Sequence, residues 1–462
     1  MLHFISAEDL LKYLDEHSVE QIDVKFCDLV GSFHHITLLR RSVDSRILEK
    51  GVGFDSSSVP RFRDVSRGDM AVKPDLNAGF LDPSWDRPTL SLLGNIVEAG
   101  TGAEVSLDPR TVLSKAVKFM KESGIADSFD CAPELEYYIF RDAQFRNERL
   151  GAFYQLRVED GSAEKVKKGA GYLTDGPQDA WRSLRAEMAS KMIGAGLPVR
   201  YHHAEVGEAG QQEIELGFSP ALEAADGIML GKYLVRSVAT RHDVDVCFLP
   251  KPIADAAGNG MHIHFRLFKG GENLFAETDS LSRLGQNFIG GILRHGRALL
   301  AIMSPTLNSY RRLRPGHETP TRFFFSTANR EAAIRIPSYS VGKHIRCEFR
   351  PGDATMNPYL GIAAMLMAGL DGVKNAIDPT SRHLGPFDGP PPPVDMAKYP
   401  ECFLPRSLDE ALRALEDDQE FLTSGGVFDK LLITNFLSYK RDELYAMSAS
   451  PTPLEFEMYW GI

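Results

Sequence analysis

Residues 131–140 read CAPELEYYIF, with Glu134 and Glu136 one residue apart ahead of an aromatic and aliphatic run. Tyr137, Tyr138, Ile139 and Phe140 favour a strand, and in a strand residues i and i+2 share a face. The two carboxylates then point the same way, about 6–7 Å apart along the strand. Repulsion and desolvation make a buried pair of this kind costly unless positive charge sits beside it, as a divalent cation or a bound ammonium would. The plainer alternative is an edge strand with both glutamates in water, so the rest of the chain has to decide between them.

The 462 residues suffice for two or three domains around a large core. A net charge of −11 argues against broad binding to nucleic acid or to an anionic membrane. Cys27, Cys131, Cys247, Cys347 and Cys402 are scattered, with no CxxC pair, so neither a disulfide framework nor a thiolate zinc site is expected. The start, MLHFISAEDL, lacks the pattern of a signal peptide, and the longest apolar run, near 360–370, is too short to span a bilayer. A reducing, cytoplasmic setting is the expectation.

Ser6 is placed as an N-cap ahead of an amphipathic helix over 7–17. Ile22, Val24 and Phe26 alternate with polar residues as in a strand, and Gly31 turns the chain into a returning strand over 32–39. His34 and His35, adjacent there, face opposite ways and make a poor chelating pair. Residues 51–60 read as a polar loop carrying Asp55, and 90–97 as another strand. Asp108 and Pro109 start a helix that Gly124 stops, so a domain boundary is expected near 104. Beyond 140, residues 142–178 read as loop-rich, 177–194 and 220–242 as helices, and 197–203 and 211–218 as strands. A strand from 248 passes through a glycine-rich turn into MHIHF, ending at 265. Residues 281–304 and 357–376 read as helices, 311–320 as a charged loop, and 332–336 and 344–350 as strands. Four prolines within 389–394 favour a stiff linker, 408–415 reads as a short helix, and the aromatic end FEMYWGI is expected to dock somewhere.

Glu205 follows one strand and Glu213 lies in the next, so both can reach one site, whereas Glu208 and Glu215 read as solvated. His262 and His264 share a face, and Gly258 and Gly260 allow close backbone approach to a ligand. Glu348 adds an acid between apolar neighbours. Glutamates with one imidazole suit hard cations such as Mg2+ or Mn2+. Arg311, Arg312, Arg314, Arg330, Arg335, Lys343, Arg346 and Arg350 crowd about forty residues. Acids for metal together with several arginines match the needs of phosphoryl transfer. There is no Walker A loop, since GIMLGK is too short and lacks the following Ser or Thr.

These stretches (PELEYYIF, HAEVGEAGQQE, KPIADAAGNGMHIHF, NSYRRLRPGHETP, ANREAAIRIP and CEFRPGDATMNPYL), in this order, resemble the type I glutamine synthetase family over essentially the whole length. The resemblance implies an α+β fold: a small β-grasp-like domain over 1–104, then a large catalytic domain over 105–462 built on a curved antiparallel sheet flanked by helices. It implies synthesis of glutamine from L-glutamate, ammonium and ATP, with two or more divalent cations per site. Glu136, Glu205 and Glu213 would hold one cation, and Glu134, His262 and Glu348 the other. Arg312 and Arg350 would hold glutamate, with backbone at Ala257 and Gly258 and with His262 and Glu318 alongside. Arg330 would grip the transferred phosphoryl group. Arg335, Lys343 and His264 would lie near ATP. Glu318 would be the acid of a closing flap, and Asp55, from a neighbouring subunit, would help to bind and deprotonate ammonium. A dodecamer of two stacked hexameric rings, with the C-terminal tail inserted into the opposite ring, is the implied assembly.

The chain departs from the family at Ser56, where glycine is usual, at Phe62, where tryptophan is usual, and at Arg200 and Arg266 around the adenine end. The family's adenylylation motif is missing, since Tyr399 sits in Lys398-Tyr399-Pro400, so no such regulation is expected. Two alternatives stand beside the ammonia ligase: a γ-glutamyl amide ligase acting on a polyamine or other amine, and a catalytically silent structural or regulatory oligomer. Asp55 and Glu318 favour ammonia, because a bulky amine does not need both anions.

Overall fold

The computed structural model describes residues 1–60, 62, 68–158, 166–278, 280–316 and 318–462. Part of the loop-rich stretch over 142–178, and His317 of the charged loop, lie outside the described residues.

The chain begins with helix Ala7–Glu16, capped by the Ser6 hydroxyl, which accepts from the Asp9 amide at 3.2 Å. A five-stranded sheet follows in the order Phe33–Leu39, Gln21–Cys27, Thr89–Glu98, Asp69–Leu81, Val52–Asp55. Only the pair Gln21–Cys27 with Thr89–Glu98 is parallel. Alternation along 22–26 does not leave a wet face. Every residue of Gln21–Cys27 is buried, because Asp23 and Lys25 are paired at 2.6 Å under helix Ala221–Arg241 and Lys25 lies over the Tyr233 ring. Asp108 caps helix Pro109–Glu122 by accepting from the Thr111 amide at 3.0 Å.

Strand Ser128–Phe140 runs through the middle of a second, ten-stranded sheet. It pairs antiparallel with Ile263–Lys269 on one side and Gln211–Leu216 on the other. Outward from these lie Cys347–Phe349, Ala332–Arg335 and Arg322–Ser326 at one end and Val199–Ala204 at the other. The sheet is antiparallel as expected except at one edge, where Arg322–Ser326 and Ala332–Arg335 are parallel. Helices Arg283–Arg294 and Pro358–Lys374 pack on its apolar face, where Phe129, Phe265, Phe275 and Phe288 form one aromatic cluster.

Several local expectations are corrected. Residues 51–60 contain strand Val52–Asp55, paired with Asp69–Leu81, a strand the sequence pattern hid behind Pro74, Asp75 and Asn77. Residues 142–158 form the hairpin Asp142–Glu148 and Gly151–Arg157, whose exposure on both faces erases the alternation that marks a strand. The strand expected from 248 is instead Asp245–Cys247, and the helix expected over 281–304 breaks at His295, whose ring lies between Asp371 and Asp418. The strand over 344–350 shortens to Cys347–Phe349. Helices Lys430–Ser448 and Pro453–Tyr459 were not anticipated, and the aromatic end lies exposed on this chain, with Trp460 81% exposed.

Arg110 joins the two sheets. It holds Asp226 of helix Ala221–Arg241 through two bonds of 3.0 and 2.9 Å, Asp75 at 2.7 Å and Asn95 at 2.6 Å. Replacing one member of a buried ion pair leaves the other charged and desolvated, which costs about 3–5 kcal/mol. Arg110→Met is therefore expected to lower the unfolding midpoint by a corresponding amount in a urea titration, and Arg110→Met with Asp226→Asn to recover part of it. A single substitution that leaves the midpoint unchanged contradicts this assignment.

Candidate active site

The strand register sets acid against acid. Glu136 lies opposite Glu213 and Glu134 opposite Glu215, so the two central strands present four carboxylates on one face. The next strand sets His203 beside Glu213 and Tyr201 beside Glu215. On the other flank His264 lies opposite Glu348, and Glu348 opposite Arg335. The wet edge-strand alternative is excluded, since Glu136, Glu213, Glu215 and Glu348 are all buried.

These side chains border a cavity of about 570 Å³. Glu134, Glu136, Glu205, Glu213, Ala257, Gly258, His262, Arg312, Glu318, Arg330, Arg335, Glu348 and Arg350 all line it. Asp55, His264 and Lys343 are not among the lining residues. His264 sits just behind, its Nε2 3.0 Å from Glu134 Oε1. Lys343 is exposed in the turn Gly342–His344. Asp55 is exposed at the end of strand Val52–Asp55, where its carboxylate accepts from the Ser57 and Ser58 hydroxyls at 2.6 and 2.9 Å.

Two arginines set the imidazoles. Arginine only donates, so Arg346 Nε, 3.3 Å from His264 Nδ1, makes that nitrogen an acceptor and leaves the ring proton on Nε2, facing Glu134. Arg312 Nη2, 3.3 Å from His262 Nε2, likewise puts the His262 proton on Nδ1, which donates to Glu134 Oε2 at 2.9 Å. Glu134 is thus clasped from both sides. Burial alone would raise it, but the bonds from His262 and His264 hold it well below the usual carboxylate range. Burial would also raise Glu348, yet the charge of Arg350, 2.5 Å away, carries it down to about 2.

The other half of the cluster behaves oppositely. Burial, then the charge of Glu136, pushes Glu205 up to about 8. Burial, then Glu134, pushes Glu213 well above its ordinary value. Among the described residues, ligand atoms come within 4.8 Å of one another in three groups: Glu134, His264 and Glu348; His203, Glu205 and Glu213; and Glu134, Glu213 and Glu215. These differ from the expected pairs of triads, with His264 replacing His262 and His203 replacing Glu136. His262 stands beside the same acids, its Nδ1 2.9 Å from Glu134 Oε2 and 3.8 Å from Glu348 Oε1, and Glu136 Oε2 accepts from the Gly260 amide at 2.6 Å. An oxygen-rich set with an excess of buried acid fits a hard divalent cation.

Glycine is required where the expected turn meets this cluster. A Cβ on Gly260 would stand 2.6 Å from His262 Nε2 and 2.7 Å from Arg312 Nη2. Arg312 itself is largely engaged. Its Nη atoms donate to the carbonyls of Pro351, Gly352 and Arg350 as well as to His262. Arg330 and Glu318 are about half exposed and 3.8 Å apart at the mouth. Glu318 holds φ of +56°, a left-handed backbone uncommon for glutamate.

Glu215, expected in solvent, is buried and bound by Arg200 at 2.6 Å. It stands two residues after Glu213, so the same-face rule that paired Glu134 with Glu136 would have found it. His203, two before Glu205, was missed for the same reason. Tyr172, Tyr201 and Tyr339 also line the cavity and carried no signal in the sequence. Arg266, at the expected adenine end, stacks on Phe218 with its guanidinium 4.0 Å from the ring centre.

A buried acid face with arginines at its rim belongs to enzymes that handle anionic, phosphate-bearing substrates with divalent cations. The model of the glutamine synthetase catalytic domain matches residues 106–459, and that of the glutamine synthetase β-grasp domain matches 18–99. A glutamine synthetase of Aquifex aeolicus is 40% identical over 471 residues, covering 99% of each chain. A 3-hydroxylaminophenol mutase of Cupriavidus pinatubonensis is 37% identical over 474 residues, again covering 99% of each. The cryo-EM structure of Plasmodium falciparum glutamine synthetase superposes with a TM-score of 0.89 at 26% identity, over 99% of both chains. The chain belongs to the glutamine synthetase family, a family of glutamate–ammonia ligases that use ATP and a divalent metal.

Because Glu205 keeps its proton to about pH 8, a cation that takes its carboxylate must displace that proton. Divalent binding is therefore expected to release protons at pH 7, and the apparent affinity to climb as pH rises from 7 toward about 8. Calorimetric titration of Mn2+ in two buffers of different ionisation enthalpy measures this. Heats independent of buffer contradict it. Glu213→Ala is expected to weaken binding by at least about tenfold.

Proposed function

We propose that the protein ligates ammonia to L-glutamate through γ-glutamyl phosphate, releasing L-glutamine, ADP and phosphate. The observation that carries this reading is the meeting of buried acids and four arginines, Arg312, Arg330, Arg335 and Arg350, around one cavity. A carboxylate is a poor electrophile, so ATP must first phosphorylate it. Divalent cations held by Glu134, Glu136, Glu205, Glu213, Glu348 and His262 would offset phosphate charge during that transfer. Arg350 and Arg312 orient the carboxylates of glutamate beside the Ala257 and Gly258 backbone. Arg330 grips the transferred group, and Arg335, Lys343 and His264 serve the nucleotide. Glu318 moves over the mouth with its loop, which keeps water from the acyl phosphate.

Ammonium has no lone pair, so a carboxylate must take its proton before attack. In this reading Asp55 does so in the cavity of a neighbouring subunit, which suits a carboxylate that is exposed on its own chain. The assembly is then a dodecamer of two stacked rings, the exposed tail bearing Trp460 reaching across them, in the cytoplasm. The two domains run 1–104 and 105–462.

A γ-glutamyl amide ligase is the second reading. It is favoured by the room in the cavity and by Ser56, whose hydroxyl bonds the Gly68 carbonyl at 2.8 Å right beside Asp55. Phosphate release from ATP and glutamate is expected to rise saturably with ammonium and little with ethylamine or putrescine. Stimulation by an amine alone selects the second reading, and no turnover with any acceptor leaves a silent oligomer. Arg350→Ala is expected to lower kcat/KM for glutamate by about a hundredfold or more.

A further inference from the structure

A second cavity, of about 410 Å³, opens on the helix-covered side of the large sheet, between its parallel edge strands and the start of helix Arg283–Arg294. Phe325, Ile336 and Leu281 give it an apolar floor, and Thr327, Ser338 and Thr380 bring hydroxyls to it. Among the described residues that line it there is no lysine, arginine, aspartate or glutamate. The contrast with the acid cavity is complete. This volume suits a small organic molecule. An anionic guest would find no cation on that lining and would meet Asp388, which accepts from the Thr327 hydroxyl at 2.7 Å, whereas a neutral planar ring with amide or hydroxyl groups can lie on the apolar side chains and bond the hydroxyls.

The two cavities share a wall. Along residues 335–341, Arg335 and Tyr339 line the acid cavity, while Ile336, Ser338 and Ser340 line the second. Ser340 is buried, and its hydroxyl accepts from Arg346 Nη1 at 2.6 Å. The same guanidinium donates to His264, which in turn holds Glu134. We propose that this cavity is a second ligand site, for an uncharged ring compound bearing amide or hydroxyl groups, and that its occupant acts on the acid cluster through residues 335–341 and Arg346. The site does not depend on which acceptor the enzyme uses. Its test reads binding rather than turnover, so failure of the proposed reaction leaves it intact.

The probes are indole-3-acetamide and nicotinamide, with the anions indole-3-acetate and nicotinate as their charged counterparts, added to the full-length protein. Saturation-transfer NMR is expected to detect at least one amide binding at about 1 mM or tighter, neither anion binding, and no displacement by saturating ATP. Gln286→Trp and Thr380→Trp, which fill the cavity from outside residues 335–341, are expected to abolish binding and to keep basal activity within about twofold. A bound amide is expected to change the apparent Mn2+ affinity by at least about twofold, and this change, but not amide binding, to be lost in Ser340→Ala. Absence of amide binding, equal binding of the anions, displacement by ATP, or indifference to both tryptophan variants overturns the site. Binding with unchanged Mn2+ affinity overturns the coupling.

Discussion

Setting Glu136 opposite Glu213 and Glu134 opposite Glu215 is the constraint around which the molecule is arranged. Like charges directly across an antiparallel pair destabilise it, and burial raises the cost further. The protein answers half of that charge itself. His262 and His264 clasp Glu134, Arg335 and Arg350 hold Glu348, and Arg200 binds Glu215. It leaves Glu136, Glu205 and Glu213 with much less compensation, and the raised Glu205 and Glu213 mark where positive charge from outside is wanted. The division of the cluster into a satisfied half and an unsatisfied half is what turns a costly sheet into a binding face.

Such a face works only if its groups cannot relax away from one another. Glu134, Glu136, Glu213, Glu215 and Glu348 sit on hydrogen-bonded strands, where the pleat fixes their direction, Glu205 directly follows one, and the helices behind them are apolar and close-packed. The arginines that brace the imidazoles reach in from the neighbouring elements: Arg312 from the short helix Ser309–Arg312, and Arg346 from just before strand Cys347–Phe349. By contrast Glu318 and Arg330, which have to move if the mouth is to close, stand on loops and are half exposed. Buried acids and half-exposed rim groups follow from this placement.

How far the sequence disclosed this depended on whether a residue's neighbours obeyed a local period. The strand carrying Glu134 and Glu136, the cap at Asp108 and the apolar helix Pro358–Lys374 all follow period or cap rules and were legible. Hairpin Asp142–Glu148 with Gly151–Arg157 was not, because it faces water on both sides and shows no alternation. Glu215 was within reach of the same-face rule, two residues after Glu213, but Arg200, which holds it, does not show in a single segment. The convergence of Glu348 and Arg350 with acids some two hundred residues earlier came through family resemblance, since no periodicity relates distant strands. Chemistry read from residue type gave a hard-cation site. The exact groups that meet, with His203 and His264 among them, needed the register.

Arg200 and Arg266 bear on the same balance. Arg200 neutralises Glu215 from the outer strand, so that acid makes little demand on a cation, although its oxygens lie within reach of Glu134 and Glu213. Arg266 pairs with Asp130 at 3.7 Å and stacks on Phe218 and Phe268. A guanidinium over an aromatic ring offers a flat, positively charged surface, which suits the face of a conjugated base or an anionic group equally well. With Glu215 answered by Arg200, the remaining need for a cation is concentrated at Glu136, Glu205 and Glu213. Departure from the family pattern at these positions leaves the unsatisfied acids, and with them the demand for divalent metal, in place.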